Sequence, residues 1–193
     1  SSRSSDRVGM PPFRSILSYC EELDNDQTQA AITIANQILK QELYILKLIP
    51  AKPKQMVMYL GGEGGTGKSK VLRAVTEYMT GLGVRHKLRI AAETGVAAGN
   101  VGGSTLHTLL KLLVHENKKD GRPQEISQGL VEKIQGVTLM FVDEVSMTGC
   151  NMMQRISTQL SNAKSSIEPF GGVDMIFAGD FYQLPPNSKD PLY

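Results

Sequence analysis

Cysteine is scarce in this chain: its 193 residues include two, Cys20 and Cys150, far apart. They form no spaced zinc-ligand set and no disulfide framework, so a reducing compartment is expected. Charge of one sign is scarce too, with 21 Lys and Arg against 19 Asp and Glu for a formal net charge of +2. That balance excludes a globally basic coat, and any nucleic-acid surface has to be local. No apolar run approaches the roughly 20 residues of a membrane-spanning helix. The first residues have no signal-type apolar core, so neither insertion nor secretion is expected. The chain shows no internal repeat, and its length suits one α/β core with some loose ends.

Residues 1–22 read as a loosely attached arm, because the first 18 are rich in Ser and Arg, include Pro11-Pro12 and carry only scattered apolar side chains. The folded domain is expected over 23–193. Asp24 with Gln27 three positions on is a capping pattern, and Ala31, Ile34, Ala35, Ile38 and Leu39 recur at helical spacing to about Lys47–Pro50. Met56–Leu60 reads as a buried strand, Val71–Met79 as a helix stopped by Gly81 and Gly83, and Lys87–Ala92 as a second strand. An alanine-rich turn or short helix follows Thr94-Gly95, another helix begins near Thr105, and 115–123 has the composition of an exposed loop. Val131 and Ile134 suggest a brief helix, 138–142 a third strand, 151–164 a helix and 173–178 a fourth strand. Strands alternating with helices predict a parallel-rich sheet covered on both faces.

The most informative stretch is Gly61-Gly62-Glu63-Gly64-Gly65-Thr66-Gly67-Lys68-Ser69, which contains GxxxxGKS counted from Gly62 directly after a strand. Tight curling lets backbone N–H groups converge on a phosphate, and glycine enters the left-handed conformations this needs. Lys68 then brings a mobile charge to the β- and γ-phosphates, and the Ser69 hydroxyl can ligate Mg²⁺. Gly62, Gly64, Gly65, Thr66, Gly67, Lys68 and Ser69 are therefore the candidate nucleotide contacts. A dinucleotide-binding oxidoreductase is disfavoured, because its glycine loop has neither this lysine nor the hydroxyl.

Leu139-Met140-Phe141-Val142-Asp143-Glu144 delivers two adjacent carboxylates at the end of an apolar strand, about 75 residues beyond Lys68. Parallel sheets place ligands at that end. Asp143 is the second candidate Mg²⁺ ligand, and Glu144 the group that orients and polarises an attacking water. A third block, Ala178-Gly179-Asp180-Phe181-Tyr182-Gln183-Leu184-Pro185-Pro186, again follows a strand. The Gln183 amide suits a γ-phosphate or water contact, or is an ordinary loop glutamine. Asp180 either supports the metal site or caps the turn.

Together these blocks resemble the superfamily 1 helicases, and within them the petite integration frequency family with the helicase portions of Helitron-type transposons. The carriers are GGEGGTGKS at 61–69, Ala92-Glu93-Thr94-Gly95-Val96-Ala97-Ala98 with Gly102-Gly103-Ser104-Thr105-Leu106-His107, Asp143-Glu144-Val145-Ser146-Met147, and the 179–186 block. The resemblance spans about 23–186 and implies a RecA-like P-loop NTPase domain. It implies an enzyme that uses ATP and Mg²⁺ to travel 5′ to 3′ along single-stranded DNA or at DNA junctions. It further implies service in DNA repair, recombination and telomere maintenance, with the nucleus as the first expected location and the mitochondrion the second. It matches Gln27 to a glutamine that recognises adenine, and Thr94, Gly95, Thr105 and His107 to blocks on or near the DNA track. His107 read alone equally suits a histidine bracing the strand–helix junction.

A complete motor of this kind needs a second ATPase-like domain that contributes an arginine. Arg73, Arg85, Arg89 and Arg155 have no motif context to replace it. The chain is accordingly expected to be a first motor domain, a fragment or a degenerate copy, that hydrolyses ATP weakly alone. The alternatives are a DNA-binding or assembly module switched by nucleotide without unwinding, and a stand-alone NTPase or kinase.

Overall fold

A computed structural model describes residues 14–110 and 128–182. The expected loop at 115–123, Gln183 with the prolines after it, and the first 13 residues of the expected arm lie outside the described residues.

Asp24 caps α1 (Asn25–Ile45) as its spacing predicts, accepting from the Gln27 backbone N–H at 2.9 Å while the Gln27 side chain accepts from the Asp24 N–H. The helix closes through Lys47 in the left-handed region. β1 (Val57–Gly61) leads into the glycine loop, and α2 (Lys68–Gly81) starts on the loop's lysine. β2 (Leu88–Ala92), α3 (Gly95–Asn100), β3 (Ser104–Thr105) and α4 (Leu106–Leu110) follow. Then come α5 (Gln128–Ile134), β4 (Leu139–Asp143), α6 (Cys150–Ala163) and β5 (Asp174–Gly179).

All pairings are parallel, in the order β1-β5-β4-β2-β3. Alternation along β4 divides the core: Leu139 and Phe141 join α1 and α2 on one face, while Met140 and Val142 join α4, α5 and α6 on the other. The helical stripes fit those faces. Ile34, Val75, Tyr78 and Met79 are buried in the first cluster, and Ile134, Ile156 and Leu160 in the second. Each large side chain removed from water contributes roughly 1.5–3 kcal/mol.

Three expectations need correction. The strand expected to be buried, β1, lies at the sheet edge with Val57 and Tyr59 exposed, because apolar residues alone do not say whether a helix covers them. β3 is a fifth strand that the sequence reading omitted, since two residues are too few for periodicity to register. The expected arm also overlaps folded chain: residues 16–19 form a 3₁₀ turn, Ile16 and Cys20 are buried, and Tyr19 packs edge-on to Tyr78 at 6.2 Å. Three apolar contacts within a polar stretch anchor it where composition gave no signal. Among the described residues, no helix is long and apolar enough to cross a membrane.

At the sheet end opposite the glycine loop, Asp174 ties α1 to the strands. Its carboxylate accepts from Met56 N–H at 2.6 Å, from the Gln37 amide at 3.1 Å and from the Gln41 amide at 3.3 Å. Burial pushes this carboxyl above the ordinary aspartate value, and the Met56, Gln37 and Gln41 bonds and the Lys52 charge offset part of the rise. Asp174→Ala strands those donors and should cost about 2–4 kcal/mol. A carboxyl raised in the folded state stabilises most below its unfolded value and loses that contribution as pH rises through the folded one. The Tm of Asp174→Asn relative to the parent should therefore improve between about pH 3.5 and 7 in thermal melts.

Candidate active site

The glycine loop owes its curl to Gly65 at φ 81° and Gly67 at φ 88°, conformations that side chains resist. Thr66 closes the turn, its N–H and hydroxyl both donating to Glu63 O, at 3.2 and 2.8 Å. The Lys68 ammonium is held within the curl by Gly62 O at 2.6 Å and Glu63 O at 3.0 Å. It can exchange these carbonyls for phosphate oxygens without leaving the loop. Gln27 braces the loop from outside, donating from Nε2 to Thr66 O at 2.8 Å while its Oε1 stays in the α1 cap. A Cβ on Gly67 would lie 2.6 Å from that Nε2. The sequence places Gln27 only in the first turn of a helix; the structure ties that turn to the loop 39 residues on.

A cleft of about 780 Å³ opens at the carboxyl ends of the strands. Gly64, Gly65, Lys68 and Ser69 line one side, Asp143 and Glu144 the floor, and Asp180 and Tyr182 another wall. Asp143 ends β4, so strand pairing fixes its backbone; its Oδ1 accepts from the Glu144 N–H at 2.9 Å. Glu144 itself stands at φ 56°, ψ 38°, a left-handed position that costs a non-glycine residue roughly 1–2 kcal/mol. Met147 N–H donates to Glu144 O at 3.0 Å, and the Thr94 hydroxyl donates to Glu144 Oε2 at 2.9 Å. Asp180 is buried and caps its turn, accepting from Tyr182 N–H at 2.9 Å. It makes the cap that was one of its two expected roles, and it lines the cleft with Ser69 and Asp143 as well.

The four residues matched to a DNA track sit beside this cleft. Ala92 pairs with Thr105 on one side and Asp143 on the other. Thr94 caps α3, accepting from Ala97 N–H at 3.2 Å, and Gly95 begins that helix in the open. Thr105 Oγ1 donates to Thr108 Oγ1 at 2.8 Å and accepts from Thr108 N–H, fastening the start of α4. Beside them is Glu93, a residue to which the sequence reading gave no role, whose carboxylate accepts from the Thr148 hydroxyl at 3.3 Å. Burial pushes the Glu93 carboxyl up, the His107 charge and the Thr148 hydroxyl offset this, and the Glu144 charge adds to it. No spacing rule could have found Glu93 or the Thr94–Glu144 bond, which joins residues 50 positions apart.

The family model of the PIF1-like helicases matches residues 35–192. The chain belongs to the PIF1-like helicase family. Among curated relatives, the ATP-dependent DNA helicase PIF1 of Saccharomyces cerevisiae strain YJM789 is 31% identical over 88% of this chain and 21% of its own length. The ATP-dependent DNA helicase RRM3 of S. cerevisiae strain S288c is 26% identical over 93% of this chain and 24% of its own. The chain thus spans about a fifth to a quarter of those relatives. A Bacteroides Pif1 crystallised with ADP-AlF4 shares the fold at TM-score 0.64 and 29% identity, over 86% of this chain and 34% of that one. A Bacteroides Pif1 bound to single-stranded DNA gives 0.61 and 30%, over 86% and 34%. The expected family and the RecA-like parallel fold are both borne out.

Gly67→Ala combines left-handed strain with a clash against the Gln27 amide. Affinity for a nucleoside triphosphate should fall about tenfold or more, the equivalent of at least ~1.4 kcal/mol, while the far-UV circular dichroism of the fold persists. Titration with a fluorescent ATP analogue checks it.

Proposed function

We propose that this chain is the ATP-binding motor module of a DNA helicase, hydrolysing ATP in the cleft between the glycine loop and the β4 carboxylates. The observation that carries this is the convergence of Lys68, Ser69, Asp143 and Glu144 on one cleft. Helicase relatives and a family structure with ADP-AlF4 support it. The residues fit a hard divalent cation: the Ser69 hydroxyl and the Asp143 carboxylate are oxygen donors lining that cleft. They would hold Mg²⁺, which when bound supplies charge neutralisation for the phosphates.

Loop N–H groups and Lys68 bind the β- and γ-phosphates, and α2 presents its amino terminus to them. Glu144 orients the water and accepts its proton as the phosphate–oxygen bond breaks. Adenine lies near Gln27 in the small hollow that Asp26, Leu60 and Val71 also line. Single-stranded DNA crosses the face carrying Thr94, Gly95, Thr105 and His107, a partial track in a chain of net charge +2. A structure of a family member on single-stranded DNA supports the partner. Unwinding in the 5′ to 3′ direction, through a second motor domain, belongs to the complete protein in this reading, as do roles in repair, recombination and telomere maintenance. Gln183, outside the described residues, keeps the role of a γ-phosphate or water contact in this reading.

Lys68→Ala should weaken ATP binding and abolish turnover, whereas Glu144→Gln should keep binding within a few-fold and lose hydrolysis. Calorimetry and phosphate release on both variants decide it, and undiminished hydrolysis by Glu144→Gln would refute the role given to that carboxylate. DNA binding should be weak and salt-sensitive. On a single strand the slope of log affinity against log salt is about −0.7 per phosphate neutralised, so a total of roughly −1 to −3 is expected. Fluorescence anisotropy over a salt series, with His107→Ala beside the parent, tests that face.

A further inference from the structure

The Thr94 hydroxyl makes two hydrogen bonds of opposite sense. Its oxygen accepts from Ala97 N–H at 3.2 Å, and its proton goes to Glu144 Oε2 at 2.9 Å. A hydroxyl has a single proton, so this donor is committed to the carboxylate. Glu144 needs such a partner. It stands one residue beyond the last paired residue of β4, in a left-handed conformation. Strand pairing therefore does not aim its side chain.

We propose that Thr94 is a positioning residue: it holds one oxygen of Glu144, leaves the other to accept a proton from the attacking water, and ties that orientation to the position of α3. The proposal rests on the ATP-hydrolase reading above. Helix α3 also carries Gly95 and Val96, both exposed, on the face assigned to DNA. A strand that displaces or orders α3 thereby acts on the reacting water through one hydrogen bond, and DNA stimulation of turnover passes through Thr94.

The test uses Thr94→Val, which keeps the shape and loses both bonds, and Thr94→Ser, which keeps both. With Mg-ATP and a single-stranded oligonucleotide, Thr94→Val should lower kcat about tenfold or more with KM for ATP within about twofold, the mark of an interaction needed in the transition state. The ratio of turnover with and without DNA should fall toward one, and Thr94→Ser should recover most of both. A thermal-unfolding cycle with Glu144→Ala separates the bond from the helix cap. If the contact is real, the two single Tm losses differ from additivity; a cap acting alone gives additive losses.

Thr94→Val turning over like the parent, Thr94→Ser losing as much as Thr94→Val, or an additive cycle each overturns the proposal. A parent chain that does not bind Mg-ATP refutes the hydrolase reading and this proposal with it. A parent that binds without turnover leaves the cycle to decide, with additivity again overturning it.

Discussion

Parallel pairing is the constraint on which the rest of this molecule depends. Because β1, β5, β4 and β2 all run the same way, every strand leaves the sheet at one end. The glycine loop after Gly61, the carboxylates after Val142 and the turn after Gly179 are thus delivered to a common rim. Register sharpens this further. Gly61 pairs with Gly179, and Ala92 with Asp143, so the turns emerge at matching heights. An alternately antiparallel sheet of the same order would reverse β5 and β2, and so send Asp180 and Thr94 to the rim opposite Lys68 and Asp143.

The crossovers that such pairing requires also protect the site. Each helix returning the chain to the start of the next strand covers a sheet face, so the central β4 and β5 are buried on both sides and their ends are the polar outlet, while the edge strand β1 leaves Val57 and Tyr59 exposed. At the far rim, one aspartate gathers a strand N–H and two glutamine amides from α1. At the active rim α1 reaches over in the other direction, through Gln27, to the loop. A single 21-residue helix therefore fixes both ends of the β1 edge, and the loop's geometry is coupled to a packed core instead of resting on glycines alone.

The parts of this architecture that the sequence made legible were those encoded by periodicity or by local rules. The α1 cap follows from Asp24 and Gln27, the α6 face from Ile156, Leu160 and Ala163, and the loop from its glycines, lysine and serine. Illegible were features whose partners are distant in sequence. Ser104–Thr105 becomes a strand because Ala91 and Ala92 offer an edge, and 16–20 folds because Tyr78 offers a ring. Gln27 was linked to the site only by resemblance, since its contact with Thr66 depends on how α1 packs. Asp180 shows the same limit: its cap to Tyr182 N–H and its place on the cleft beside Ser69 and Asp143 both depend on where β5 ends in the sheet.

Glu144 is where these constraints conflict. The strand must end at Asp143 to place that carboxylate on the rim, and the chain must then turn at once into the Val145–Met147 3₁₀ turn. A glycine would satisfy that turn at little cost, but a glycine has no carboxylate. The strain of a left-handed glutamate is offset locally by Asp143 Oδ1 and Met147 N–H, which fix the backbone at the site of reaction. What the backbone cannot fix is the carboxylate at the end of a flexible side chain. That task falls to a neighbouring element, and Thr94 on α3 meets it. The carboxylate is consequently shared between two blocks of sequence, the one that ends β4 and the one that opens α3. In the proposed mechanism, that shared bond is what lets occupancy of the DNA face be felt at the nucleotide.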